Sequence, residues 1–142
     1  SGAILGKKTH LSTYYSKEGT TTGYSDILPY GKKNKKKPVF IITSSNTGSA
    51  AEAFPFFLQE IGRIKTVGGK SGGGGRSTQF YSINEHMSIS ISNRIVRSSK
   101  GNEFQGVGVE PDIPASVGDA KRVGHLAALK SVAKKSNKKK SR

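Results

Sequence analysis

Ser49 is the residue in this sequence best placed to do chemistry. It stands where the apolar run Val39-Phe40-Ile41-Ile42 gives way, through Ser44 to Gly48, to a segment of helical periodicity. A helix start presents backbone N–H groups without partners and the positive end of the helix dipole. A hydroxyl at that place can serve as a nucleophile, because the same N–H groups can hold an oxyanion. Ser49-Ala50-Ala51-Glu52 is equally a capping box, in which the serine caps an N–H and the glutamate reaches back. Capping serines far outnumber nucleophiles, so the local pattern leaves both roles open. Other chemistries are excluded or unsupported. There is no cysteine, hence no thiol catalysis, disulfide or cysteine–zinc site. His10, His86 and His125 show no metal-ligand spacing. The run from Gly68 to Arg76 lacks the spacing of a phosphate loop, and no cofactor is implied.

The elements around Ser49 read as a βαβ unit over Pro38 to Gly75. Val39 to Ile42 has the continuous apolar character of a strand covered on both faces. Ala50, Ala53, Phe54, Phe57, Leu58 and Ile61 recur at helical spacing and predict one buried stripe. Gly62 ends that helix, and Ile64 to Val67 form the next strand. Pro55 falls inside the helix, where its missing N–H and its ring predict a bend near Ala51 to Pro55. The four consecutive glycines Gly72 to Gly75 fit either a mobile loop or a close backbone approach, and mobility is the expectation.

Flanking segments are simpler. Leu11 to Tyr15 fits a short strand or a helix end, and Gly19 to Gly23 is turn-like. Ile27 to Tyr30 is expected to pack on the core. Thr78 to Ile83 and Met87 to Ser92 alternate with period two, a half-buried hairpin turning at Asn84-Glu85. Ile95-Val96 extends or follows that sheet. Gly101-Asn102 turns, and Gly106 to Ile113 forms a compact loop. A last helix runs from about Asp119, its cap, to Lys135, with a stripe of Val123, Leu126, Ala127, Leu129, Val132 and Ala133. Fraying is expected from Ser136.

A chain of 142 residues suits one domain, with a core kept modest by 32% hydrophobic content. No apolar run is long enough for a transmembrane helix, and Ser1 to Gly6 lacks a leader pattern. Lysine and arginine total 24 against 9 acids, a formal charge of +15, which attracts anionic partners without specificity. The lysines cluster at 32–37 and 134–140 with no aromatic residues interleaved, so they read as a solvated loop and tail, with no specific nucleic-acid partner.

Four motifs stand in order: Asn46-Thr47-Gly48-Ser49-Ala50-Ala51-Glu52, Leu58-Gln59-Glu60-Ile61-Gly62-Arg63, Val67-Gly68, and Gly106-Val-Gly-Val-Glu-Pro-Asp112-Ile113. Together, over roughly Pro38 to Lys135, they resemble the tail-specific (C-terminal-processing) serine proteases, nearest the branch of the tricorn core and the interphotoreceptor retinoid-binding proteins. The resemblance implies an α/β fold, the crotonase-like (ClpP/crotonase) spiral, of which this chain is the C-terminal portion. Residues 1–37 are then an N-terminal flank and basic loop of an incomplete protease domain, 38–135 its core, and 136–142 a disordered basic tail.

The resemblance also implies roles. Ser49 is the nucleophile and the Ala50 N–H one oxyanion donor, the second donor coming from a glycine-rich turn upstream of this chain. The lysine base of the tail-specific branch falls on Gly74, leaving Lys70 as a fallback. The glutamate of the tricorn-like branch falls on Gln105, a possible orienter of a histidine, with Glu103 two residues away. Glu60 matches an acidic site position. The implied function is a serine peptidase acting on protein C-terminal or extended segments, outside the cytoplasm, with its base supplied by a segment absent from this chain. An inactive binding member of the family and a basic nucleic-acid or anionic-surface module are the alternatives. An unpaired strand edge would allow the fragment to self-associate.

Overall fold

The computed structural model describes residues 2–26, 34 and 36–140, without the side chains of residues 135–140. The expected packing of Ile27 to Tyr30 and most of the first lysine block lie outside the described residues. In chain order the elements are α1 (Gly2–Leu5), β1 (His10–Ser16), β2 (Gly19–Tyr24), β3 (Phe40–Thr43), α2 (Ala50–Glu60), β4 (Lys65–Gly68), β5 (Ser77–Ser82), β6 (Ser88–Ser98), β7 (Ile113–Pro114) and α3 (Ala120–Lys140). They form two sheets. The strand order is β2-β1-β6-β5 in an antiparallel sheet and β3-β4-β7 in a parallel one.

The βαβ unit is present as β3–α2–β4, with Phe40 opposite Lys65 and Thr43 opposite Gly68. α2 packs between the sheets, against β1, β6 and β4, while α3 lies on β3 and β4. Because α2 is enclosed from two sides, its buried face is wider and rotated from the expected stripe. Glu52, Pro55, Phe56, Phe57 and Leu58 are buried, whereas Ala50 and Phe54 are exposed. Pro55 sits inside α2, which runs without a break from Ala50 to Glu60. Phe56, Phe57, Phe104 and Val109 make the core between α2 and the antiparallel sheet, the Phe56 and Phe104 rings 5.0 Å apart.

Other expectations are corrected. Among the described residues β3 is an edge strand, and Ile42 is half exposed, so the strand is not covered on both faces. Gly19 to Gly23 is strand β2, not a turn; its β-branched threonines pair with β1, Thr21 opposite Tyr14, and the turn falls at Lys17-Glu18. The β5–β6 hairpin is exposed on both faces, Phe80 and Ile83 included, because it projects past the core. The stripe of α3 is thin as well: Ala120 is buried, while Leu126, Leu129 and Val132 are half exposed. Asp119 does stand at the start of α3, bonded to Ser116 and Arg122. The α3 backbone stays helical to Lys140, past Ser136; lysine is a good helix former, and cations suit the C-terminal end of the dipole.

Candidate active site

The turn leading to Ser49 is closed on itself. Ser44 N–H donates to Thr47 Oγ1 at 3.0 Å and Thr47 N–H to Ser44 O at 2.9 Å. Ser49 then adopts φ 54°, ψ −124°, and no other described non-glycine residue has positive φ. Such a backbone costs on the order of 1–3 kcal/mol and persists only where its surroundings over-determine it. Here they do. Glu52 N–H and Ala53 N–H donate to Ser49 O at 2.9 and 3.1 Å, and Ser49 N–H donates to Glu52 Oε2 at 2.8 Å. Only the Glu52 half of the capping box is made: Ser49 Oγ forms no cap bond, and the serine is strained and solvent-exposed.

Glu52 does more than cap. It is fully buried and accepts four hydrogen bonds: from Ser49 N–H, from Ser71 Oγ at 2.5 Å, from Gly73 N–H at 2.6 Å and from Gly74 N–H at 2.8 Å. Burial alone would raise its carboxyl; the bonds from Ser71, Gly73, Gly74 and Ser49 outweigh burial and hold it below the ordinary glutamate value. Ser71 Oγ in turn accepts Val109 N–H at 2.7 Å. One carboxylate thus joins the helix start, the glycine run and the Gly106–Ile113 loop.

The glycine run is consequently a built wall, and the expectation of mobility gives way to close backbone approach. Gly72 N–H donates to Thr47 O at 2.9 Å and Gly75 N–H to Gln105 Oε1 at 2.8 Å. A Cβ on Gly75 would meet the Gln105 backbone N at 2.8 Å, so only glycine fits there. Beside this wall lies a pocket of about 220 Å³. Ser49, Ala50, Gly74 and Gly75 form one side, and Ala53, Phe57, Val96 and Phe104 an apolar floor continuous with the core. Tyr14, Arg76 and Ser77 complete it. No histidine, lysine or carboxylate lines this pocket among the described residues. The Ala50 N–H has no acceptor among them, whereas those of Gly73, Gly74 and Gly75 are all engaged.

The residues singled out from the sequence are only partly brought together. Ser49 and Ala50 share the pocket; Gln105 stands one residue behind it, holding Gly75. Glu60 lies at the far end of α2, roughly 16 Å along an 11-residue helix from Ser49. Its carboxylate accepts from Ser98 Oγ and Asn102 Nδ2 and secures the turn after β6. Lys70 is paired with Glu110 at 3.5 Å and does not reach the pocket. Glu103 is held by Arg97 and Arg76, at 3.0 and 3.5 Å. Asp112 of the Glu-Pro-Asp motif is a fastening: Gln59 Nε2, Thr66 N–H and Lys65 Nζ all donate to it, tying α2 and β4 to the loop. Burial would raise the Asp112 carboxyl, and the bonds from Lys65, Thr66 and Gln59 hold it low instead. Sequence reasoning missed the reach of Glu52 and the roles of Ser71, Tyr14 and Arg76. Only Glu52 left a signal, its place three residues after Ser49. No cluster of possible metal ligands occurs among the described residues.

Ser49 is thus a strained, exposed serine at a helix start beside an apolar pocket. The family profile described as peptidase family S41 matches residues 1–115, so the chain belongs to this family of serine peptidases. The match takes in the flank before Pro38 and stops short of α3. The chain is 25% identical over 111 residues to a carboxy-terminal-processing protease of Bartonella bacilliformis, covering 78% of this chain and 25% of that one. It is 27% identical over 95 residues to the nisin-resistance protein of Lactococcus lactis, covering 67% and 29%. It thus spans less than a third of these relatives. Among solved structures, a lipoprotein from Streptococcus agalactiae superposes with TM-score 0.70 at 19% identity over 92% of this chain and 47% of that one. The photosystem II D1 C-terminal processing protease gives 0.66 at 16% over 81% and 29%. At such identities the likeness is one of fold.

Proposed function

We propose that this chain carries the nucleophile half of a serine peptidase site and takes its base from a segment outside it. The observation that carries the reading is Ser49 itself: positive φ, exposed, at the N-terminus of α2, beside an Ala50 N–H without an acceptor among the described residues. In this reading Ser49 Oγ attacks the carbonyl carbon of a peptide, and its proton passes to the base. The Ala50 N–H holds the oxyanion, the amine leaves with the proton, and water then hydrolyses the acyl-serine. The substrate is an extended polypeptide or a protein C-terminus whose side chain enters the pocket over Phe57 and Phe104. The two sheets and α2 are the C-terminal portion of a crotonase-like spiral, of the tricorn-like branch, with a histidine as base and Gln105 near it. In this reading the protein acts outside the cytoplasm, an expectation supported by the family resemblance.

Full-length product of the gene should cleave an unstructured polypeptide, and Ser49→Ala should lower kcat/KM by at least about a thousandfold. Equal turnover by wild type and Ser49→Ala would contradict the proposal. A second reading, a family member that binds peptide without cleaving it, is favoured by the absence of any histidine, lysine or carboxylate lining the pocket among the described residues. It predicts binding without turnover in both proteins.

A further inference from the structure

Strand pairing leaves a notch next to the Ser49 pocket. β1 pairs with β6 only from Ser12 opposite Ser98 to Tyr15 opposite Ile95, then turns away through Lys17-Glu18 into β2. From Arg94 back to Ser88, β6 has β5 on one side and no described strand on the other. The space between is an open cleft of about 470 Å³. Three cations from three separate segments line it: Lys17 of the β1–β2 turn, Arg94 of β6 and Arg76 of the loop before β5. Ser92 and Asn93 add hydrogen-bonding groups.

Unpaired cations are ordinary in a chain of charge +15, so their number alone signals nothing. The placement does. Arg76 lines both this cleft and the Ser49 pocket, so the two share a wall. The acids nearby offset these three cations only in part. Glu103 is shared between Arg76 and Arg97, and Glu18 accepts at 3.5 Å from the hydroxyl of Ser16, itself a lining residue. Lys17 and Arg94 make no ion pair among the described residues. An exposed strand edge can also receive an extended peptide through backbone hydrogen bonds.

We infer that this cleft binds an acidic side chain of the peptide substrate, near the scissile bond, through Lys17, Arg94 and Arg76. The inference rests on reading the Ser49 pocket as a peptidase site. An extended peptide advances about 3.3 Å per residue, so a carboxylate a few residues from Ser49 reaches the cleft.

The test uses the full-length gene product carrying Ser49→Ala and dye-labelled decapeptides. A single Glu, or a matched Gln, is walked along the peptide, and the C-terminus is free or amidated. Binding is followed by fluorescence anisotropy. At one or two positions Glu should bind about three- to tenfold tighter than Gln at about 50 mM salt, the advantage fading at about 500 mM. Preference for the free C-terminus over the amide, without a Glu–Gln difference at any position, would overturn the inference in favour of the terminal carboxylate. Lys17→Ala/Arg94→Ala should abolish the advantage, and Lys100→Ala/Lys121→Ala should not. Arg94→Glu should reverse it towards a Lys-bearing peptide, which a merely misfolded variant would not do. Equal binding of every Glu–Gln and acid–amide pair would overturn the inference, as would an advantage that survives the double variant or falls equally in the control. Fluorophosphonate labelling of Ser49 in the wild type separates the two readings: labelling with no carboxylate preference sinks the cleft alone. A preference that depends on Lys17 and Arg94, without labelling, keeps the cleft and sinks the peptidase.

Discussion

Glu52 governs the site as much as Ser49 does. Its four donors include three backbone N–H groups that an amide could not all satisfy. Glu52→Gln should therefore cost about 3 kcal/mol of stability, measured by denaturant unfolding. The pH dependence has a definite sign. Because the folded carboxyl is held low, its contribution is complete above the ordinary value of 4.5 and is lost as pH falls through the folded value. The Gln variant should show a shallower acid limb than the wild type. Gly74 is the complementary case. It has no positive φ, and an added Cβ would sit 3.5 Å from Ser49 N and 3.6 Å from Glu52 Oε2, ordinary contact distances. Gly74→Lys should thus place an amine beside Ser49 and raise its labelling rate by a fluorophosphonate at least about tenfold, the rate climbing with pH as the amine deprotonates. An unchanged rate would show that a base at position 74 cannot serve Ser49. That the lysine expected from the resemblance would fall on Gly74 could be read from the sequence, because that reading needs only a count of residues. It could not expose Glu52 as a hub, since three of its partners lie about twenty residues away in sequence.

At the scale of elements, the strand–turn–helix–strand unit is held by backbone bonds between loops rather than by the helix stripe. Gly75 is the tightest joint. Gly75→Ala would push Cβ onto the Gln105 backbone, so that loop must move, at a cost of about 1–3 kcal/mol. The variant should melt lower and lose Ser49 reactivity together with the Gly74 wall; unchanged melting and reactivity would show that the wall is loose. The βαβ order was legible because its periods are local. The rotation of α2 was not, since it depends on two sheets enclosing the helix, and Phe54 and Phe56 exchange places for that reason. The half-buried reading of β5 and β6 failed for a related cause. Alternation reports that a face is apolar, not that anything covers it, and Ile89 and Ile91 remain half exposed.

For the whole molecule, the central claim is a division of labour: this chain supplies the nucleophile, the Ala50 donor and the pocket, and another segment supplies the base. A span of less than a third of the curated relatives agrees with such a division. The most direct measurement is fluorophosphonate labelling of this 142-residue chain and of the full-length gene product, each beside Ser49→Ala, with the adduct located by mass spectrometry. The account predicts an adduct on Ser49 in the full-length protein, little or none in the shorter chain, and none in either alanine variant. Equal labelling of Ser49 in both would place the base within these residues and contradict the division. An unlabelled Ser49 in both would return that serine to its role as a helix cap.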